Sequence, residues 1–299
     1  MNYVIARRPV NWKTKNAYIM ISPGMLLLFI FLIVPIIYAL YISFTEFKSG
    51  AFVFVGLNNF KILLKSKIFW VSLLNTFYYT VGVIIPSIAV SLFIAMGLNR
   101  KGGYAATLRT IYFLPVAISE AIAAAIWQSV LNPDVGIANY ILQLLHLPKI
   151  GWYADFNWAM PTLIMVSLWK NVGYYMIIFL AGLQTIPQEY YEAASIDGAN
   201  WWQSFRNITV PLLRPSLFFV YITSIIFSFR VFTWIYVMTQ GGPGYSTMVT
   251  VYYIYREGFQ RSHFGLASAI STILLLILMI LIVSQMRQFR LFKTEEEFR

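Results

Sequence analysis

A lysine stands in the middle of an apolar stretch, where ionisable side chains are costly and usually serve a function. Lys170 lies within LWKNVGYYM, and Ser167, Asn171 and Tyr174 are spaced so that all four side chains fall on one face of a helix. A single polar stripe on an otherwise apolar helix is expected to face a cavity and not lipid. The stripe therefore predicts a binding site for a polar solute inside a membrane.

Other polar side chains lie in neighbouring apolar stretches. Glu120 is the one acid predicted inside a span, and Ser224 and Ser228 lie one helical turn apart in a later stretch that also holds Arg230. Two structural alternatives stay open. The serines can bond to the backbone of their own helix, and Lys170 can form an ion pair with Glu120.

The sequence has no catalytic or nucleotide-binding motif. No glycine is followed by lysine, which excludes the GxxxxGK[ST] loop, and HExxH, GxSxG and CxxC are missing. There is no cysteine, and the two histidines, His146 and His263, lack the spacing of metal ligands. We therefore expect no enzyme activity, cofactor or metal in this chain, so energy for any work must come from a partner or a gradient.

The composition is that of a membrane protein. The chain of 299 residues is 59% hydrophobic and 11% charged, whereas soluble domains are about one quarter charged. The net charge of +11 does not indicate nucleic-acid binding, because the basic residues lie in short segments between apolar runs. We predict an all-α integral membrane protein with six transmembrane helices, at about 17–44, 70–98, 109–131, 158–183, 216–238 and 265–285.

The distribution of Lys and Arg predicts the orientation. With the N-terminus inside, thirteen of the 22 basic residues face the cytoplasm, seven face outward, and Lys170 and Arg230 lie within spans. Both termini are therefore expected in the cytoplasm. The first outer loop holds four of the outward lysines, and its stretch FKILLKSKIFW (60–70) suggests an amphipathic interfacial helix.

A compact polar segment, 185–215, connects two of the spans. A proline and an acid in its first turn predict a helix with Thr185 as its cap. Gly198 predicts the end of that helix, and a second helix is expected from Asn200 to Pro211. The segment is either an elbow packed on the cytoplasmic membrane face or a docking site for a cytoplasmic protein.

This segment resembles the EAA loop of permeases in importers driven by ATP-binding cassettes. The family pattern is Glu-Ala-Ala, then a Gly, an Ile and a Pro, and it is matched here by Glu192, Ala193, Ala194, Gly198, Ile208 and Pro211. FLAGLQTIPQEYYEAA at 179–194 and TQGGPGYSTMVTVYYIYREGF at 239–259 resemble the sugar branch, the maltose-type permeases. The resemblance covers about residues 70–285.

The resemblance implies a type I importer permease, with a cytoplasmic EAA helix-turn-helix loop, in a bacterial or archaeal plasma membrane. It implies as partners a second homologous permease, two ATPase subunits that bind ATP and Mg, an extracytoplasmic solute-binding protein, a carbohydrate and membrane lipid. The loop residues expected to contact the ATPase are Glu192, Ala193, Ala194, Asp197, Gly198 and Ala199. The chain then divides into a cytoplasmic tail (1–16), a first span with its outer loop (17–69), the permease core (70–285) and a C-terminal cytoplasmic tail (286–299).

The resemblance also implies which residues hold the solute. The matching positions, with Glu120 added, are Val116, Glu120, Ser167, Lys170, Asn171, Tyr174, Ser224 and Ser228. Val116 departs from a tyrosine of the maltose case, and Lys170 replaces an apolar residue, so the resemblance does not extend to maltose as the solute. A cation suggests an anionic saccharide, such as one that contains uronate, or glycerol phosphate. The alternative of another class is a gradient-driven secondary transporter, for which only Glu120 and Lys170 offer ionisable groups within the spans.

Overall fold

The computed structural model describes residues 12–48, 50–100 and 102–297, so the ends of the predicted tails and Lys101 of the charge count lie outside it. The described chain is mostly helical. Its α-helices, labelled in chain order, are α1 (Trp12–Leu28), α2 (Val34–Ile42), α3 (Asn58–Lys65), α4 (Lys67–Leu98), α5 (Gly103–Ala117), α6 (Glu120–Val130), α7 (Ile137–Leu144), α8 (Ala159–Gln184), α9 (Gln188–Ile196), α10 (Trp201–Ser204), α11 (Val210–Leu212), α12 (Arg214–Phe229), α13 (Thr250–Tyr255) and α14 (Phe264–Glu297).

Shorter elements join these helices. One antiparallel hairpin pairs β1 (Thr45–Lys48) with β2 (Ala51–Phe54), so the expectation of an all-α fold needs this one addition. Within the described ranges a 3₁₀ turn lies at Trp152–Ala154. Four π-helical segments complete the list: Phe29–Ile33, Phe205–Thr209, Ile235–Thr239 and Arg256–Gln260.

The apolar helices bear out most of the predicted membrane architecture. In the described part of the chain four helices are long and apolar enough to cross a membrane, or up to six if each of two bent pairs forms one span. Four predicted spans, 17–44, 70–98, 158–183 and 265–285, are thereby confirmed as Asn16–Ile42, Lys67–Leu98, Ala159–Gln184 and Phe264–Arg287.

The other two predicted spans are not single helices. The stretch 109–131 is divided between α5 and α6, whose axes are bent by 98° where Ile118 and Ser119 adopt extended backbone. The stretch 216–238 is interrupted after α12, and α12 forms its bent pair with the preceding helical segment Trp201–Leu212, at 69°. Mean hydropathy does not show either break, because the few polar residues there, Ser119 and Glu120 in one and Arg230 in the other, do not outweigh the apolar residues around them.

The predicted interfacial helix over 60–70 is also interrupted. Ser66 has extended backbone and its hydroxyl accepts a hydrogen bond from the Phe69 N–H (3.3 Å), so α3 ends and α4 begins at this residue. The buried Asn59 of α3 donates to the carbonyl oxygens of Ser43 (2.9 Å) and Thr45 (2.8 Å). These bonds fix α3 to the hairpin, and α3 also packs against α14.

Helix α8 is the central element of the bundle, since it packs against α4, α5 and α12. Its contact with α5 depends on Gly173. A Cβ at this position would lie 1.9 Å from the carbonyl oxygen of Tyr112. Small residues at such contacts let membrane helices approach backbone to backbone, so Gly173 sets the distance between the two helices.

A buried carboxylate organises the segment between α13 and α14. Glu257 is only 2% exposed and accepts a hydrogen bond from Arg261 (2.9 Å). His263 Nδ1 lies 3.0 Å from its other oxygen, and the guanidinium of Arg256 lies 3.7 Å away. A buried acid needs such partners, so this segment has a defined conformation on the predicted outer side.

Replacing Gly173 by alanine should destabilise the protein by about 1–3 kcal/mol, because the added methyl group collides with backbone that cannot move independently. The matched control is Gly97→Ala in α4, where no atom lies within 4 Å of the added Cβ. Thermal unfolding of the detergent-purified variants measures the difference. Equal melting temperatures for the two variants would contradict the close contact between α5 and α8.

Candidate functional site

The break between α5 and α6 is held by a lysine of α8. The Lys170 ammonium donates to the carbonyl oxygens of Pro115 (2.6 Å), Val116 (3.0 Å) and Ile118. The last carbonyls of an α-helix have no i+4 N–H donor, and the hydrocarbon core of a membrane offers none. The negative end of the helix dipole also favours a cation. Lys170 therefore supplies the hydrogen bonds that this broken helix needs.

The alternative left open by the sequence, an ion pair between Lys170 and Glu120, is not present among the described residues. Within the described ranges no ion pair joins the two side chains, and all three bonds of the ammonium go to backbone. Glu120 instead occupies the first turn of α6, where the positive end of the helix dipole stabilises a carboxylate. The break thus places a cation at the end of one helix and an anion at the start of the next.

A cavity of about 450 Å³ opens beside this break. Six of the eight residues predicted to hold the solute line it: Val116, Glu120, Lys170, Asn171, Tyr174 and Ser228. The remaining lining residues were not among the predicted contacts: Tyr79, Phe227, Arg230, Val231 and Trp234. The cavity joins residues from α4, α5, α6, α8, α12 and the segment that follows α12.

The other two predicted contacts lie outside the cavity. Ser167 is fully buried, and its hydroxyl lies 2.6 Å from that of Tyr79, which takes the place of Ser167 on the cavity wall. Ser224 is also fully buried, on a helix that packs against α4 and α8. Neither Ser224 nor Ser228 bonds to the backbone of its own helix in the described structure, so that alternative is not realised either.

The lining residues that were not predicted differ in the strength of their sequence signal. Arg230 is an ionisable residue within an apolar stretch, which is the same signal that singled out Lys170. Tyr79 and Trp234 carry no such signal, because aromatic residues are abundant throughout this chain: 18% of all residues. Their positions follow from tertiary packing and from the break after α12.

The polar segment between α8 and α12 folds as a helix-turn-helix elbow. Gly198 has a φ of +74° and ends α9, as predicted. Asn200 caps the following helix, where its side chain and that of Gln203 each accept a backbone N–H (2.9 and 2.7 Å). The prediction that Thr185 caps α9 is wrong, because Thr185 ends α8 and Pro187 occupies the N-cap position of α9.

The tip of this elbow is exposed and its base is fixed. Glu192, Ala193, Asp197 and Gly198 are exposed, and Ala194 and Ala199 are partly so. No atom lies within 4 Å of a Cβ built on Gly198. At the base the hydroxyls of Tyr191 and Thr209 lie 3.0 Å apart, and the rings of Phe93 and Phe205 stack at 6.3 Å. The elbow therefore presents small side chains on a firm support.

Among the described residues no three His, Asp or Glu side chains converge as a metal site. The polar groups on the lining residues are an amide, three hydroxyls, an indole N–H, a carboxylate and two cations, with aromatic rings beside them. Such a lining suits a polar molecule that also has an apolar face.

Known proteins share this architecture. The family described as "Binding-protein-dependent transport system inner membrane component" matches residues 62–290. A probable ABC transporter permease protein of Pyrococcus horikoshii is 37% identical over 257 residues, which cover 85% of this chain and 88% of that protein. The trehalose/maltose transport system permease protein MalF of Thermococcus litoralis is 32% identical over 265 residues, covering 87% and 89% of the two chains.

A solved structure extends the likeness to three dimensions. It is a bacterial alginate ABC transporter in complex with an alginate pentasaccharide-bound periplasmic protein. One of its chains matches with a TM-score of 0.81 and 25% sequence identity, over 93% of this chain and 96% of that chain.

Replacing Lys170 by methionine should lower the stability by about 1–3 kcal/mol, because the carbonyls at the end of α5 lose their hydrogen-bond donor in a non-aqueous environment. Lys149→Met is the control, since it removes the same charge from an exposed residue and should change stability by less than about 0.5 kcal/mol. The readout is thermal unfolding in detergent or lipid nanodiscs. If the two variants melt together, Lys170 does not support the break.

Proposed function

The chain belongs to the family of binding-protein-dependent transport system inner membrane components, and from this premise we propose that it is the permease subunit of an ATP-driven importer of a saccharide. The observation that carries the substrate class is the lining of the cavity beside the broken helix. Tyr79, Tyr174 and Trp234 offer aromatic rings, and Asn171 and Ser228 offer hydrogen bonds. A sugar has both an apolar ring face and hydroxyl groups, so it fits this combination.

We propose that the energy enters through the elbow. The chain lacks a nucleotide-binding motif of its own, so ATP and Mg are bound by two partner ATPase subunits. The exposed tip formed by Glu192 to Ala199 is the docking contact, in which the alanines admit a partner's backbone and Glu192 and Asp197 accept hydrogen bonds. Since the base of the elbow is fixed, movement of the tip is transmitted to α8 and α12.

The remaining partners follow from the same premise. A second homologous permease would supply the other half of the pathway, and an extracytoplasmic binding protein would deliver the sugar. The solved alginate transporter, which holds a ligand-bound periplasmic protein, supports the latter proposal. The excess of Lys and Arg in alternate loops supports a position in the plasma membrane with both termini in the cytoplasm.

An anionic solute is favoured by a specific observation. Two cations, Lys170 and Arg230, line the cavity, as expected for an anionic saccharide or for glycerol phosphate.

A gradient-driven transporter needs ionisable groups that exchange ions at midplane, and Lys170 is already engaged by three backbone carbonyls. The energy source therefore separates the two classes experimentally.

The complex should be reconstituted in proteoliposomes that contain ATP, with the binding protein added outside. Uptake of a labelled oligosaccharide is expected to require both ATP and the binding protein, and to persist when an ionophore removes ion gradients. Uptake that follows an ion gradient and needs no ATP would overturn the importer assignment in favour of a secondary transporter.

Reversing the charge at Glu192 with lysine should reduce solute-stimulated ATP hydrolysis at least about tenfold, because charge reversal at a docking contact costs several kcal/mol. The melting temperature should stay unchanged, since Glu192 is exposed. The matched control is Asp134→Lys, which makes the same charge change at an exposed residue of the predicted outer side. Stimulation that survives in Glu192→Lys as in the control would exclude docking at this residue.

A further inference from the structure

The cavity beside the break contains three charged side chains with unequal freedom to bind a solute. Lys170 donates to three backbone carbonyls, so its ammonium has no donor left. Glu120 is a hydrogen-bond acceptor at the start of α6. Arg230 is the remaining charge on the cavity wall.

Arg230 has no protein partner in the described part of the chain. It is the C-terminal cap of α12, where the helix breaks, and its side chain is exposed to the cavity. No carboxylate lies within 4 Å of it, and no hydrogen bond holds its guanidinium, although Glu120 lines the same cavity. Ionisable residues within membrane proteins usually face a cavity and mark a solute pathway. The guanidinium of Arg230 is therefore open to a partner that enters the cavity from outside the chain.

The surroundings of Arg230 indicate what that partner is. Phe227 and Trp234 flank it on the same stretch of chain, and Asn171 and Ser228 add hydrogen-bonding groups to the wall. A guanidinium presents a planar pair of N–H donors that matches the two oxygens of a carboxylate. Aromatic rings beside it suit the face of a ring-shaped solute.

We propose that Arg230 binds the carboxylate of an acidic saccharide and is the residue that makes this permease prefer uronate-containing over neutral sugars. The proposal rests on the proposed function and refines it. Glu120 repels a carboxylate and accepts bonds from sugar hydroxyls, so the two residues together orient the sugar within the cavity. The preference for an anion, which the sequence suggested through Lys170, is thereby assigned to Arg230, while Lys170 positions the break.

The test compares trigalacturonate with its methyl ester, which has the same skeleton but no negative charge. Uptake by the assembled complex is measured for wild type and for Arg230→Met. The binding protein is the same in every measurement. Its own preference therefore cancels when the transport rate of each variant is divided by the wild-type rate for the same substrate. The variant should lose about tenfold or more in transport of the acid and less than about twofold in transport of the ester.

Two further variants separate charge from structure. Arg100→Met removes an exposed arginine away from the cavity and should leave both substrates unaffected. Lys170→Met should lower transport of both substrates alike, because it disturbs the break and not the carboxylate contact. Equal losses of acid and ester in Arg230→Met, or no loss of either, would overturn the role of Arg230 and leave the saccharide importer intact. If wild type carries neither saccharide but carries glycerol 3-phosphate, the proposed function itself fails.

Discussion

A helix that breaks within a membrane frees carbonyl groups that lipid cannot satisfy, so donors must come from protein or from cavity water; the rest of this site depends on how that need is met. Lys170 meets it at the end of α5. On the predicted cytoplasmic side a second basic residue binds carbonyls at a helix end: the guanidinium of Arg109 donates to the carbonyls of Leu98 (2.6 Å) and Arg100 (2.9 Å), where α4 ends. Because the bend at α5 is held in this way, Val116 and Glu120 lie on a cavity wall and do not continue a straight span.

The position of Lys170 also links the two ends of the proposed mechanism. It lies on α8, the helix that leads directly into the elbow. From Lys170 to the end of α8 at Gln184 the helix rises about 21 Å, and the close contact at Gly173 fixes α8 to α5 along the way. In the proposed mechanism a displacement of the elbow would reach the cavity through a rigid helix that both packs against the broken element and caps it. The proposed binding and coupling sites would then share one helix.

Local signals predicted much of this structure, and tertiary contacts determined the rest. The four unbroken spans follow from length and hydrophobicity, and the elbow follows from Gly198 and Asn200, whose effects act within a few residues. Three of the four residues of the polar stripe, Lys170, Asn171 and Tyr174, line the cavity. The breaks after Ala117 and Phe229 were not predicted. A helix can break inside a membrane only where other elements supply hydrogen bonds to its free backbone groups, and a local sequence pattern does not show which elements do so. Ser167 was misplaced for a similar reason, since Tyr79 of another helix covers it.

The bend between α5 and α6 is the central claim, and a distance measurement tests it most directly. The chain has no cysteine, so cysteines placed at the exposed positions Tyr104 and Ile126 can carry spin labels without background. For the bend of 98° the backbone separation in lipid is expected to be about 20 Å, whereas a straight helix over the same residues would give about 33 Å. A single distribution near the longer distance would contradict the account.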